Sequence, residues 1–531
     1  MRRFNVALLL LFCFSFTEAC NREKEKPVAG AGQTAAKNIS VGSIGDALKL
    51  NPILASDSAS GDITGWVFNG LIKYDPGLTL VPDLAEKFEA APDCKKVTFF
   101  LRKGVKWHDG IEVTADDVLF TYQKIIDPKT ATPYSGDFTE VSQVVVNNPY
   151  QVTVTYKNAF APGLASWGMG VIPKHLLEGK DLQTDPFNQQ PIGTGPYKFK
   201  QWKPGESIVL ESNPDYFEGA PDIKTYIFRV IPDSATMFNE LRSGGLDSMG
   251  LTPIQFQKQT DSPQFSKHFN KYQYPGSSYT YMGYNLSNPL FSNKNVRTAI
   301  TYAINRQEII EGVLLGYGKI ATGPFFPESW AYNPEVKPLP YDPEKAKKLL
   351  LAEGWVPGSG GILEKNGKSF EFTILTNQGN EERKKTAEII QASLKTIGIK
   401  VNIQVLEWQT FLHQYIDKKN FEAIILGWGL GQEPDPYVIW HSSKTGPGEF
   451  NFVGYKNPEV DRLMVEGRQV CDQEKRKKIY HQIHALIAED QPYTFLYYPE
   501  ALPILAKRFH GVQVTPIGIW WNFPKWKVAE E

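Results

Sequence analysis

No apolar run in the chain reaches the ~18 residues that a membrane-spanning helix needs, which excludes a polytopic helical membrane protein. An excess of one charge is missing as well. Fifty-seven basic residues face 58 acidic ones, for a formal charge of −1, and phosphate binding needs concentrated positive surface. Nucleic acid is therefore not the main partner. Cysteine is scarce, with 4 in 531 residues. Recognisable chemistry is scarce too. There is no Gly-x-Ser-x-Gly, and no Cys has a catalytic context. Gly193-Thr-Gly195 lacks the third glycine of a dinucleotide loop and runs into Pro196, so it reads as a tight turn or domain crossing. His481 and His484 lie three apart on a helical pattern without a third metal ligand at a standard spacing, which favours a solvated or capping role. Acidic residues are scattered, and a glycosidase-type carboxylate pair is neither picked out nor excluded. No catalytic residue, metal set or cofactor motif emerges.

What the chain does have is size, aromatics and turns. At about 150 residues per domain its length suggests roughly three or four domains. The 12 Trp and 24 Tyr supply rigid amphipathic surface for ligand contact as well as core, and 44 Gly with 37 Pro imply many loops. The N-terminus reads as a targeting segment: Arg2 and Arg3, then the apolar core Ala7–Phe16, then small Ala19 before Cys20. A Cys directly after such a segment (1–19) resembles a bacterial lipoprotein signal whose Cys20 is lipidated after cleavage. Thr17 and Glu18 depart from the usual box, and ordinary secretion is the alternative. Residues 20–37 are charged, then Ala/Gly-rich, with almost nothing to bury, as expected of a flexible leash. In an exported body Cys94 and Cys471 could pair, but they are distant in sequence, and a body with its own core does not need the staple.

Strand and helix patterns alternate. Val97, Phe99 and Leu101 share one strand face. Thr114 caps a helix running towards Ile126, Asp342-Pro343 opens one that ends near Gly354, and Ile479, Ile483, Leu486 and Ile487 form a helical stripe. From Glu371 to Trp428 the order is β-α-β-α-β, which implies a largely parallel sheet. Ligands of such sheets sit beyond the carboxyl ends of the strands. Glu407-Trp408 and Gly427-Trp428-Gly429 lie there, so these two tryptophans are a candidate binding wall. There is no tandem repeat of fixed period.

Several segments together resemble the family 5 extracellular solute-binding proteins, the oligopeptide- and dipeptide-binding components of ABC importers. They are Leu80–Phe88 (LVPDLAEKF), Thr98–Gly110 (TFFLRKGVKWHDG), Thr114–Val118 (TADDV), Gly193–Tyr197 (GTGPY), Asn213–Phe217 (NPDYF), Val296–Ile300 with Ala303–Arg306, Tyr341–Ala346 (YDPEKA), Gly454–Pro458 and Gln491–Tyr493. The resemblance runs from about 40 to 527. It implies an α/β, periplasmic-binding-protein-like fold: two ligand lobes with mixed sheets and a hinge, plus an extra α+β lobe. Lobe I would be assembled from 38–70, 190–266 and 498–531, the extra lobe II from 71–189, and lobe III from 267–497. Arg102, Trp107, Asp109 and Asp117 would then be structural parts of the extra lobe rather than a site.

The resemblance also implies a ligand site. Gly427, Trp428 and Gly429 match a segment that pairs with the ligand backbone, Trp408 matches a pocket wall, and Ser56, Asp57, Ser58 and Ala59 match an N-terminal loop of backbone contacts. Tyr497 matches a tyrosine near the return to the first lobe. Peptide binders of the family place an Asp three residues after the Trp to neutralise the ligand's α-ammonium, but Gly431 stands there. Glu433 and Asp435 are close enough to substitute if the loop is rearranged. Otherwise the ligand lacks that amine, as an oligosaccharide would. The expected function is capture of peptides, or of an oligosaccharide, metal chelate or other small solute, by hinge closure in the periplasm or cell envelope. Delivery would be to the permease subunits of an ABC transporter by a monomer held at the membrane through Cys20. A periplasmic hydrolase is the out-of-class alternative.

Overall fold

The computed structural model describes residues 37–529; the expected signal segment, Cys20 and all but the last residue of the expected leash lie outside them. Two large mixed sheets organise the chain. The first orders its strands Phe269–Lys271, Pro503–Ala506, Ser248–Gly250, Asn38–Ser43, Thr225–Val230, Ser207–Ser212 and Tyr197–Lys203. The second runs Tyr274–Pro275, Tyr493–Ala501, Ser278–Tyr284, Ala423–Gly429, Glu371–Asn377 and Lys400–Leu406, with Gly318–Ile320 paired to Tyr493–Ala501. The β-α-β-α-β reading of 371–428 holds: Glu371–Asn377 is parallel to both Lys400–Leu406 and Ala423–Gly429. The first half of the Ala423–Gly429 strand is aliphatic because both its faces are covered there. Ala423 and Ile425 enter one core, and Ile424 and Leu426 enter the other.

The segment after Leu71 forms a four-stranded antiparallel sheet from Ala85–Ala90, Lys96–Leu101, Gln151–Tyr156 and Val141–Asn148. It shares one hydrophobic core with the first large sheet: Val97, Phe99 and Val154 belong to the same cluster as Ile39, Tyr226 and Phe228. The helix Ala115–Ile126 begins at a capping box between Thr114 and Asp117. Trp107 is buried, Asp117 also accepts from Lys174 N, and the Arg102 Nε donates to the Asp83 carbonyl, so these residues build this sheet's core and caps.

The strands place the two chain crossings between the large sheets at 272–273 and at Leu502, a few residues beyond the boundaries expected from sequence. Two further expectations change. His484 is fully buried rather than solvated. Its Nδ1 accepts from Asn333 N at 3.1 Å, its Nε2 lies 3.2 Å from Thr322 Oγ1, and burial lowers its pKa to about 3, so it is a neutral core histidine. Cys94 and Cys471 do form a disulfide, with Cα atoms 6.2 Å apart. The staple is not needed to supplement a small core. It joins the four-stranded sheet's body to the body of the second large sheet, where Ala161 N also donates to the Arg468 carbonyl at 2.7 Å. Closing so long a loop restricts the unfolded chain, and the Cys471→Ser protein should lose about 2–4 kcal/mol of stability. That loss would appear as an earlier guanidinium midpoint than the oxidised parent shows, and an unchanged midpoint would mean that the non-covalent contacts suffice.

Candidate functional site

A cavity of about 870 Å³ lies between the two bodies, at the carboxyl ends of the parallel strands. Its volume is at the upper end of small-molecule sites. Ser56, Asp57, Ser58, Trp408, Gly427, Trp428, Gly429, Glu433, Asp435 and Tyr497 all line it. Of the residues expected from sequence only Ala59 does not; it is buried in the helix Ser58–Val67 behind Ser58.

The centre of the site is a strand edge. Gly427, Trp428 and Gly429 pair on one side with Thr280, Tyr279 and Ser278. On the other side, pairing to Glu371–Asn377 stops at Ile424. The Ile425 carbonyl still accepts from Thr376 Oγ1 at 3.1 Å, and beyond it the strand from Leu426 to Gly429 lines the cavity without a second neighbouring strand, as an edge that can accept an added extended chain. Trp428 is half-buried, stacked on Phe452 with centroids 5.7 Å apart, and its Nε1 donates to Tyr493 Oη at 3.3 Å. Its ring is thus part wall and part packing. Trp408 stands across the cavity against Gly45, where a Cβ would come within 2.9 Å of the indole. The indole N–H senses the Asp57 carboxylate but has no acceptor at hydrogen-bond geometry. Asp57 itself caps the helix Ser58–Val67, accepting from Ser60 N and Ser60 Oγ, and burial raises its pKa.

Arg383 was not legible as a site residue. It occupies the first turn of the helix Glu381–Lys395, directly after the strand Glu371–Asn377. Its Nη1 donates to Asn377 Oδ1 at 2.9 Å, and its Nη2 takes the space of the missing Gly427 side chain, 2.8 Å from where a Cβ would sit. No carboxylate bridges it among the described residues, burial lowers its pKa, and the buried Tyr497 lies beside it. The rule that places ligands beyond parallel strand ends points to this helix start as well as to the tryptophans.

The opposite end is crowded with charge. Glu433 pairs with Arg476, and Asp435 with Arg468 Nε at 2.9 Å. Burial opposes the Arg476 charge, yet Glu433 holds its pKa above the ordinary range. The arginines are nearly inaccessible, sandwiched against Trp330 and Tyr480 or Phe160 and Tyr437. Both carboxylates expected to replace the Asp missing at Gly431 are therefore already neutralised. Asp137, from the short helix Pro133–Phe138, lines the same end. No local sequence pattern singles it out.

Against known proteins, residues 79–449 match the profile of the bacterial extracellular solute-binding proteins, family 5 Middle. The chain is similar to the oligopeptide-binding protein AppA of Bacillus subtilis, with 36% identity and 100% of both chains covered. The structure of that protein in complex with a nonapeptide superposes with a TM-score of 0.89 over 93% of this chain and 99% of that one. NikZ of Campylobacter jejuni in complex with Ni(L-His) has a TM-score of 0.85 at 28% identity, covering 93% and 99%. DppA of Helicobacter pylori in complex with the peptide STSA reaches 0.84 at 27%, covering 93% and 98%.

Removing one member of a buried ion pair strands the other. Arg476→Leu should therefore cost about 3–5 kcal/mol of stability, while Arg476→Leu with Glu433→Leu should recover most of that loss in a denaturant titration of the ligand-free protein. A double variant no better than the single would show that Glu433 is not the stranded charge.

Proposed function

The chain belongs to the bacterial extracellular solute-binding proteins of family 5, and we propose that it captures short peptides outside the cytoplasmic membrane and hands them to the permease of an ABC importer. The observation that carries this reading is the free backbone edge at Gly427–Gly429 with an unbridged arginine beside it. An extended peptide added to that edge is held by main-chain hydrogen bonds, which do not depend on its sequence. Arg383 suits the ligand's carboxylate, because a planar guanidinium with spare donors recognises a carboxylate bidentately. Trp408, Trp428 and Tyr497 would border side-chain pockets, and Ser56–Ser58 would close on the ligand from the other body.

Residues 38–70, 190–271 and 503–529 act as lobe I, 71–189 as lobe II and 274–501 as lobe III. Lobes I and II move as one body because they share a core, and the hinge lies at the crossings 272–273 and 502. Closure is driven by the ligand's higher affinity for the closed arrangement. The protein works as a monomer anchored through a lipid on Cys20, and retains its ligand without turnover. A metal chelate is the second reading, supported by the likeness to NikZ with its bound Ni(L-His). Native mass spectrometry of the protein as purified separates the two. A ladder of peptide masses is expected. A single nickel-containing mass would overturn the peptide reading, and hydrolysis products would overturn the binding role.

Gly427→Ala offers a sharper check. The added methyl collides with the Arg383 guanidinium and approaches the Tyr279 carbonyl to 3.1 Å. Peptide retention should fall at least tenfold, about 1.4 kcal/mol, while the unfolding midpoint moves little. Full retention would remove Arg383 from the site.

A further inference from the structure

We propose that Asp137, contributed by the body opposite the strand edge, is the carboxylate that receives the ammonium group of the bound peptide; this rests on the peptide reading above. The argument begins with charge. The end of the cavity away from Arg383 holds four carboxylates, Asp137, Glu433, Asp435 and Glu449, and three cations, Arg468, Arg476 and Lys444. Three of the carboxylates are matched: Glu433 to Arg476, Asp435 to Arg468, and Glu449 to Lys444 at 3.0 Å, with Gly446 N as an additional donor to Glu449. Asp137 is left over. Its nearest cation atom is Arg468 Nη2 at 3.8 Å, and that nitrogen already donates to the Gly136 carbonyl at 2.7 Å. Among the described residues no donor reaches the Asp137 carboxylate at hydrogen-bond distance, yet 27% of its side chain stays open to the cavity. One negative charge in a closed site, without a donor, is matched by a ligand that brings a positive charge and N–H groups.

The other acidic groups on the cavity wall do not share this state. Asp57 is spent on a helix cap, Asp417 faces His413 Nδ1 at 3.1 Å and Glu500 accepts from Gln273, while Glu382 belongs to the Arg383 end of the cavity, with Arg383 and Lys385 as its neighbouring charges. Gly431 leaves open space where lobe III offers no carboxylate; a Cβ there would meet nothing closer than the Glu433 carbonyl at 3.9 Å. An ammonium seated on Asp137 while the peptide backbone lies on Gly427–Gly429 ties the two bodies together through the ligand. The counter-charge then contributes to closure as well as to affinity.

The surroundings make the contact sensitive to pH. Burial first, then the like charges of Asp435 and Glu433, hold the Asp137 pKa up to about 7, against the pull of Arg468 and Lys444. Tyr134 in the same turn stays neutral, and His441, stacked on Tyr437 beyond Arg468, has its pKa lowered by burial. Only ionised Asp137 attracts the ammonium, so the preference for a free amine is present above pH 7 and is lost as pH falls through 7.

The experiment offers ligand-free protein two synthetic pools of lysine-free pentapeptides, one with free N-termini and one N-acetylated, and reads retention by native mass spectrometry. The parent should prefer the free pool at pH 7.5. Asp137→Asn should lose that preference at least tenfold while still retaining acetylated peptides. Equal retention of both pools by the parent, or an unchanged preference in Asp137→Asn, overturns the assignment and leaves the peptide reading standing. Retention of neither pool by the parent overturns both. Should Asp137→Asn not fold, the parent alone decides: its preference should drop about tenfold between pH 7.5 and 5.5, and a flat ratio overturns the proposal.

Discussion

Two thin crossings govern this molecule. Among the described residues the chain passes between the large sheets only at 272–273 and at Leu502, and the remaining links between the bodies are side-chain contacts, the Ala161–Arg468 main-chain hydrogen bond and the Cys94–Cys471 bond around the ligand cavity. A cavity placed between two bodies is lined by both. That is why Ser56 and Asp137 on one side face Trp428 and Arg383 on the other. The same arrangement explains where stability has been concentrated. Arg468 donates to Asp435 in its own body and to Gly136 in the other, with Phe160 of the opposite body and Tyr437 of its own against its guanidinium. Arginine suits this junction because its planar, permanently charged head makes several hydrogen bonds while stacking on rings.

The charges in the cavity divide into two kinds. Glu433 and Asp435 are each paired with a buried arginine and belong to the architecture. Arg383 and Asp137 lack such partners and stand at different walls of the same space. A near-neutral chain thus carries a locally polarised site, with a cation that no carboxylate bridges at one end and, at the other, an anion whose nearest cation, Arg468 at 3.8 Å, is already engaged by Gly136, which complements a zwitterion. The overall charge of −1 says nothing of this, because the field inside a closed cavity is set by the nearest few groups rather than by the sum.

Family membership and mixed α/β class were legible because they rest on local pattern. Period-2 and period-3.6 alternation marked the 371–428 unit, and caps such as Thr114 and Asp342-Pro343 marked helix starts. The tryptophan wall was legible because strand carboxyl ends can be located from the same pattern. Arg383 was within reach of that rule, one helix start away from the residues it picked out.

The sequence by itself determined which segments become strands and helices, which ones cannot cross a membrane, and that Gly431 removes a carboxylate from the binding loop. The first two follow from composition and near-neighbour periodicity along the chain, and the third from the resemblance to the family, whose peptide binders place an Asp where Gly431 stands. Only the tertiary structure decided that Cys94 meets Cys471 across 377 residues, that His484 is a neutral core residue, and that Glu433 and Asp435 are already paired. It alone leaves Asp137 as the odd carboxylate. Whether a charge is spent or available depends on partners hundreds of residues away, and no local window of sequence contains them.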